Sequence, residues 1–195
     1  MKSQESILPS LVDTYFMSRP NLELPRPKLA VFFLACSGSG KSTLRQQIIN
    51  ELGATYVCND EVRELLADQS GAIRMGIELK EVVGQTRDRI LSETPNRFIV
   101  YDNNISSYYM HDDSYLNVAK KSDIPQFIIG INLTEELLVQ RIEARGLPLM
   151  NPLAEQLRHQ RLAEDKLEPD FVITDPADSG LAIGALKTKL TSLSS

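Results

Sequence analysis

The run from Leu29 to Thr43 constrains this chain more than any other stretch. An apolar segment of strand length, Leu29 to Ala35, breaks into a turn of small residues, and a helical spacing of apolar positions follows at Leu44, Ile48, Ile49 and Leu52. Strand, glycine-rich turn and helix in that order form the context of a phosphate-binding loop. Backbone N–H groups of residues 37 to 42 can converge on phosphate oxygens only if the chain turns tightly, which Gly38 and Gly40 permit. The helix that follows offers its unpaired N–H groups and positive dipole end to the same anion. Ser37, Gly38, Ser39, Gly40, Lys41, Ser42 and Thr43 are therefore the expected nucleotide-binding residues. Lys41 would reach the β- and γ-phosphates of ATP, and the Ser42 hydroxyl would ligate Mg²⁺. The strict pattern G-x-x-x-x-G-K-[ST] has Ala35 in place of its first glycine. Alanine tolerates positive φ poorly, so whether Ala35 takes the usual geometry stays open. The competing reading is an ordinary Gly/Ser connection with a solvated lysine. Average residue usage produces this pattern by chance in roughly one or two per cent of chains this long, and the flanking elements lower that further.

Composition narrows the class. A chain of 195 residues fits one domain with a sizeable core. Its 42% apolar and 24% charged residues are ordinary for a soluble globular protein. The net charge of −5 supplies no global basic field for nucleic acid. Cys36 and Cys58 form neither a disulfide framework nor a zinc pattern, and buried reduced thiols are expected. Met1 to Ser10 lacks the apolar core of a signal peptide, and no apolar run approaches membrane-spanning length. A cytoplasmic protein without membrane contact is the expectation.

Taken in order, Ser6 to Met17 has helical spacing interrupted by Pro9, which fits if the helix starts there. Pro20, Pro25 and Pro27 then make an extended connector, so residues 1–28 read as a helix and Pro-rich extension laid on the outside of a 29–195 domain. Beyond Gly53, strands are expected at Ala54–Cys58, Phe98–Tyr101, Gln126–Asn132 and Phe171–Thr174. Helices are expected near Glu61–Ala67, Ile73–Ser92, Tyr108–Lys121, from Thr134 to Ala144, onward from Pro152 to Lys166, and over Ala177–Leu193. Strands alternating with helices five times imply a parallel sheet covered on both faces: an α/β three-layer sandwich with ligands beyond the strands' carboxyl ends.

That edge collects the chemistry. Asp60 follows the second strand; it is either a helix cap or the base that orients and deprotonates an acceptor hydroxyl. Arg63 opposes the helix dipole, which invites an anionic partner, the alternative being an exposed pair with Glu61 or Glu64. Asp102 ends an apolar strand in the Walker B manner, holding Mg²⁺ directly or through water. Asn103 and Asn104 would fix the loop, with substrate contact by Asn104 as a further role. Arg141 and Arg145 lie four apart on one helix leading into a Gly/Pro loop, where arginine can close over transferring phosphates as a lid, the alternative being a solvated face. Arg158 and Arg161 are more distant candidates. His111, Asp112 and Asp113 are adjacent on a helix start and cannot all face one ion, so a solvated terminus is expected.

Together, the motifs at 35–43, 59–63, 101–104 and 141–146 resemble, in order and spacing, the P-loop kinases similar to the 5′-kinase domain of polynucleotide kinase and the zeta-toxin kinases. The resemblance spans roughly residues 29 to 175. It implies that the P-loop NTPase fold carries an Arg-bearing lid, that Asp60 activates the acceptor hydroxyl, that Arg63 engages the acceptor's phosphate and that Arg145 covers ATP. Where polynucleotide kinases carry arginine beyond the Asp-x-Asn, this chain has Ser106 to Met110. That difference and the acidic balance disfavour a nucleic-acid acceptor. The expected activity is ATP- and Mg²⁺-dependent transfer of the γ-phosphoryl group to a hydroxyl of a small acceptor, sugar or nucleotide-like. The alternatives are a polynucleotide 5′-hydroxyl kinase and an ATP-binding switch with slow hydrolysis.

Overall fold

The central strand, β1 (Arg26–Ala35), is apolar on both sides because both sides are covered. A computed structural model describes residues 4–67, 79–104, 114–146 and 152–194. Successive β1 side chains point to opposite faces. Ala30, Phe32 and Leu34 enter one apolar cluster, while Leu29, Val31, Phe33 and Ala35 enter the other. Phe32 also stacks on Tyr101 of the neighbouring strand, with ring centroids 4.7 Å apart.

The described elements run α1 (Gln4–Met17), β1, α2 (Lys41–Leu52), β2 (Thr55–Val57), α3 (Asn59–Ala67), α4 (Leu79–Glu93), β3 (Asn96–Asn104), α5 (Tyr115–Lys121), β4 (Gln126–Ile131), α6 (Glu135–Arg145), α7 (Leu153–Leu167), β5 (Phe171–Ile173) and α8 (Ser179–Leu193). A 3₁₀ turn, Pro176–Asp178, joins β5 to α8. The five strands are all parallel, in the order β2-β3-β1-β4-β5. β1 is thus central, and β3, which carries Asp102, is its neighbour. One layer contains α1, α3, α4 and α5; the other contains α2, α6 and α8, with α7 contributing to both.

Local chemistry accounts for the ends of these elements. Gly53 closes α2 in the left-handed region and donates to Ile49 O. The Thr134 hydroxyl accepts from Leu137 N–H and starts α6 where expected. Several boundaries differ from the expectation. α1 begins at Gln4, so Pro9 lies inside it rather than at its start. Pro27 falls within β1, where pairing with β3 is irregular between Arg26 and Leu29, so its missing N–H costs no regular ladder bond. α1 is also not a covering on a finished core, because Leu11, Val12, Tyr15 and Phe16 are buried within the first cluster. The expected helix starts at Ile73 and Tyr108, the loop from Leu147 to Asn151, and His111, Asp112 and Asp113 lie outside the described residues.

Candidate active site

The glycine turn after β1 has the backbone that its residues allow. Ala35 is buried in β1 and is not among the positive-φ residues, so alanine is accommodated there without strain. Gly38 and Gly40 do take positive φ, +80° and +96°. Gly40 is the N-cap of α2 and places no side chain on the helix's first N–H groups, leaving them for an anion. At Gly38 a Cβ would lie 3.0 Å from Leu138 O and 3.1 Å from Ile142 Cγ1, so α6 packs directly on the loop. The Ser37 N–H has a partner within the protein, the Gln156 Oε1 atom of α7 at 2.9 Å.

Lys41 curls over this loop and donates to Cys36 O at 2.9 Å. Burial lowers its pKa, opposed by the charges of Asp102, Cys36 and Asp60, while the positive charge of Arg145 acts in the same direction as burial. Lys41, Asp60 and Asp102 stand at the carboxyl ends of β1, β2 and β3, one end of the parallel sheet, and the Arg145 charge reaches Lys41. Asp102 is only 7% exposed. Burial raises its carboxyl pKa, against the stabilising pull of Arg45, Lys41 and a hydrogen bond from Ser42. The local register explains its placement. Phe32 pairs with Tyr101 but Phe33 pairs with Asn104, so Asp102 and Asn103 form an irregularity with no register partner on β1.

Asp60 lies in the first turn of α3 rather than at its cap, since the helix begins at Asn59. Its side chain is exposed and pairs with Arg63, which stands in the second turn and so takes Asp60 rather than Glu61 or Glu64 as its partner. Asn103 fixes the adjacent turn by accepting from Asn59 N–H at 3.0 Å. Asn104 ends β3, and its side chain lies outside the described residues.

On the other side of the loop, a cleft of about 360 Å³ is lined by Gly38, Ser39, Gly40, Thr43, Leu44, Gln47, Leu133, Arg141, Arg145, Pro176 and their neighbours. Arg141 Nη1 lies 3.4 Å from both Gly38 O and Ser39 O. Arg145 is exposed at the end of α6, where Gly146 closes the helix at φ +62°. Arg158 and Arg161 are exposed on α7, outside this lining.

Four contributors to the site are not apparent from motif spacing. Arg45 Nη1 binds Asp102 Oδ2 at 2.7 Å. Glu61 lies between Arg45 and the buried Arg19, at 3.6 and 2.8 Å. Gln160, 3% exposed, accepts from Cys36 Sγ at 3.0 Å and donates to Ile131 O at 3.1 Å. Burial pushes the Cys36 thiol up to about 11. Spacing offered one signal: Arg45 is four residues beyond Lys41 on the same helix face, and Gln156 and Gln160 are similarly spaced on α7.

The donors around Ser42 and Asp102 are hard oxygens, which suit Mg²⁺. Among the described residues no group of three or more His, Cys, Asp or Glu side chains could hold a metal by itself. Mg²⁺ commonly takes only one or two protein ligands and completes its shell with water and phosphate oxygens, so this donor set fits it.

No family model and no curated protein matches the chain. Among solved structures, the fold is similar to that of a gluconokinase from Sinorhizobium meliloti 1021, with TM-score 0.50 and 18% identity over 88% of this chain and 97% of that one. A shikimate kinase from Acinetobacter baumannii has TM-score 0.49 and 16% identity over 88% and 96% of the two chains. A deoxyadenosine kinase from M. mycoides has TM-score 0.45 and 16% identity over 84% and 99%. At these identities the likeness is one of fold. The five-stranded parallel sheet with surrounding helices is the fold that the chain shares with that gluconokinase.

Proposed function

We propose that this chain is an ATP-dependent phosphotransferase that moves the γ-phosphoryl group to a hydroxyl of a small acceptor, sugar or nucleotide-like. One observation carries the reading: Lys41 and Ser42 begin the helix after β1, Asp102 lies at the end of β3 with a hydrogen bond from Ser42, and Asp60 follows β2, all at the carboxyl end of a parallel sheet beside a helix N-terminus without a side-chain cap. An uncapped N-terminus, two glycines in the left-handed region and a lysine folded over the turn make a polyphosphate cradle. The cleft beside Thr43, Leu44, Arg141 and Pro176 leads away from that cradle and suits the remainder of the nucleotide.

In this reading ATP lies with its phosphates along residues 38–43, and Arg141 and Arg145 flank them. Ser42 and Asp102 would hold Mg²⁺, which when bound neutralises charge on the β- and γ-oxygens. The acceptor oxygen attacks the γ-phosphorus in line as the bond to the β,γ-bridging oxygen breaks. ADP leaves with that electron pair, and the acceptor's proton passes to the Asp60 carboxylate. Lys41 and Arg145 offset the charge that spreads over the equatorial oxygens. The Asp60–Arg63 pair is exposed, and such pairs contribute little, about 0–1 kcal/mol. An anionic group on the acceptor can therefore take Arg63 and free Asp60 for the hydroxyl.

A transfer screen with γ-labelled ATP and Mg²⁺, across sugars, nucleosides, their phosphates and 5′-hydroxyl oligonucleotides, tests the reading. Expected is label on a small hydroxyl compound, lost in Asp60→Asn while ATP binding persists. Label on oligonucleotides alone would overturn the acceptor class. Transfer or hydrolysis indifferent to Asp60→Asn would overturn the kinase in favour of a nucleotide-binding switch.

A further inference from the structure

We propose that α1 and the turn that follows it are a positioning element of this site: Tyr15 of α1 and Arg19 of the turn fix the β2–α3 junction from which Asp60 projects. The proposal rests on the phosphotransfer reading above. Residues 1–28 lie outside the motifs that carry the kinase resemblance, and no step of that reading uses them.

The Asp60 side chain is 78% exposed, and among the described contacts its only side-chain partner is Arg63. Its position therefore depends on the backbone that carries it, and three flanking residues hold that backbone. Cys58, immediately before α3, is held by Tyr15: the phenol oxygen accepts from Cys58 N–H at 2.7 Å and donates to Cys58 O at 3.1 Å. A hydroxyl that engages both the N–H and the carbonyl of one residue restrains that residue at two points. Asn59 N–H is held by Asn103. Glu61 is held by Arg19, whose Nη1 lies 2.8 Å from Glu61 Oε2, and by Tyr56, whose hydroxyl donates to Glu61 Oε1 at 2.6 Å.

Arg19 is itself tightly constrained. It is 8% exposed, its guanidinium lies over the Tyr15 and Tyr56 rings at 3.9 and 4.5 Å, and its Nε donates to Tyr15 O at 3.1 Å. From Glu61 the alternating charges continue to Arg45 and then to Asp102. Burying a guanidinium carries a desolvation penalty that an apolar tether would avoid. Leu11, Val12 and Phe16 already provide the apolar attachment of α1. The added polar contacts supply direction, and they converge on the residues either side of Asp60.

The test compares wild type with Tyr15→Phe and Arg19→Lys. The readouts are melting temperature, MgATP binding by calorimetry, phosphate release from MgATP to water, and amide hydrogen exchange. Tyr15→Phe keeps the ring and removes only the hydroxyl; Arg19→Lys keeps the charge and removes the Nε contact and planar stacking. For Tyr15→Phe, ATP affinity should stay within about twofold while phosphate release falls about tenfold or more. Amides from Cys58 to Val62 should exchange about tenfold faster, and those of α2 should not change. Arg19→Lys should show a smaller loss of the same kind. Unchanged exchange at the junction, or unchanged phosphate release, would overturn the proposal. So would faster exchange spread evenly over the sheet and α2, which would make α1 a tether only. Wild type that takes up no MgATP would instead overturn the kinase reading, and the positioning role with it.

Discussion

Arg45 decides whether Asp102 can stay buried as a carboxylate. Its guanidinium is the close partner of that side chain, which is 4% exposed, and removing one member of a buried pair strands the other. Arg45→Met should therefore cost about 3 kcal/mol or more, read as a fall of roughly 6–12 °C in melting temperature for a chain of this size. Arg45→Met combined with Asp102→Leu should recover most of that loss, because no buried charge is then left alone. A single variant as stable as wild type would contradict the assignment. Cys36 gives a second test at this scale. Its thiol is pushed up to about 11, mainly by burial and against the nearby Lys41 charge. Since the side chain is also fully buried, the native thiol should resist iodoacetamide at neutral pH and react only once the chain is denatured. Rapid alkylation of native Cys36 at pH 8, read by mass spectrometry, would contradict it. Lys41, Ser42, Asp60 and Asp102 were legible as strand-end residues because each follows an apolar run of strand length. Arg45 was not, since its partner stands 57 residues away and only the β1–β3 pairing brings the two together.

Among the elements, the contact between the glycine turn after β1 and α6 leaves no room for a methyl group at Gly38. Gly38→Ala would combine an unfavourable left-handed alanine, about 1–2 kcal/mol, with a Cβ pressed against Leu138 O and Ile142. Gly146→Ala would carry only the first cost among the described residues, none of which lies within 4 Å of a Cβ there. ATP affinity should therefore fall at least tenfold in Gly38→Ala and stay near wild type in Gly146→Ala, as measured by calorimetry; equal affinities would contradict the packing. Strand cores were readable from apolar runs, and the Thr134 cap from its position before Glu135. Two features were not. The irregularity that presents Asp102 and Asn103 depends on how β1 and β3 align, which neither strand encodes alone. The start of α1 at Gln4 was hidden by Pro9, because the apolar packing of Leu11, Val12, Tyr15 and Phe16 outweighs one interrupted helical turn.

At the scale of the whole molecule, alternating strands and helices implied a parallel sheet, and the order β2-β3-β1-β4-β5 places the glycine turn after β1 at its centre. That order brings the ends of β1, β2 and β3 side by side, so three segments separated in sequence form one site. α1 shows the limit of the sequence reading: its apolar spacing indicated a helix, but not the buried Tyr15 and Arg19 contacts that join it to the β2–α3 junction. A ligand held by that convergence should stabilise the whole fold. MgATP at about a hundred times its dissociation constant adds about 2.7 kcal/mol, a rise of roughly 5–10 °C in melting temperature. The most direct test is calorimetric titration of the folded chain with MgATP, alongside Lys41→Met as a control that keeps the loop's backbone. Expected is saturable uptake at one site in the wild type and its loss in Lys41→Met. No uptake by folded wild type, or equal uptake by both, would contradict the proposal that residues 38–43 seat the nucleotide's phosphates.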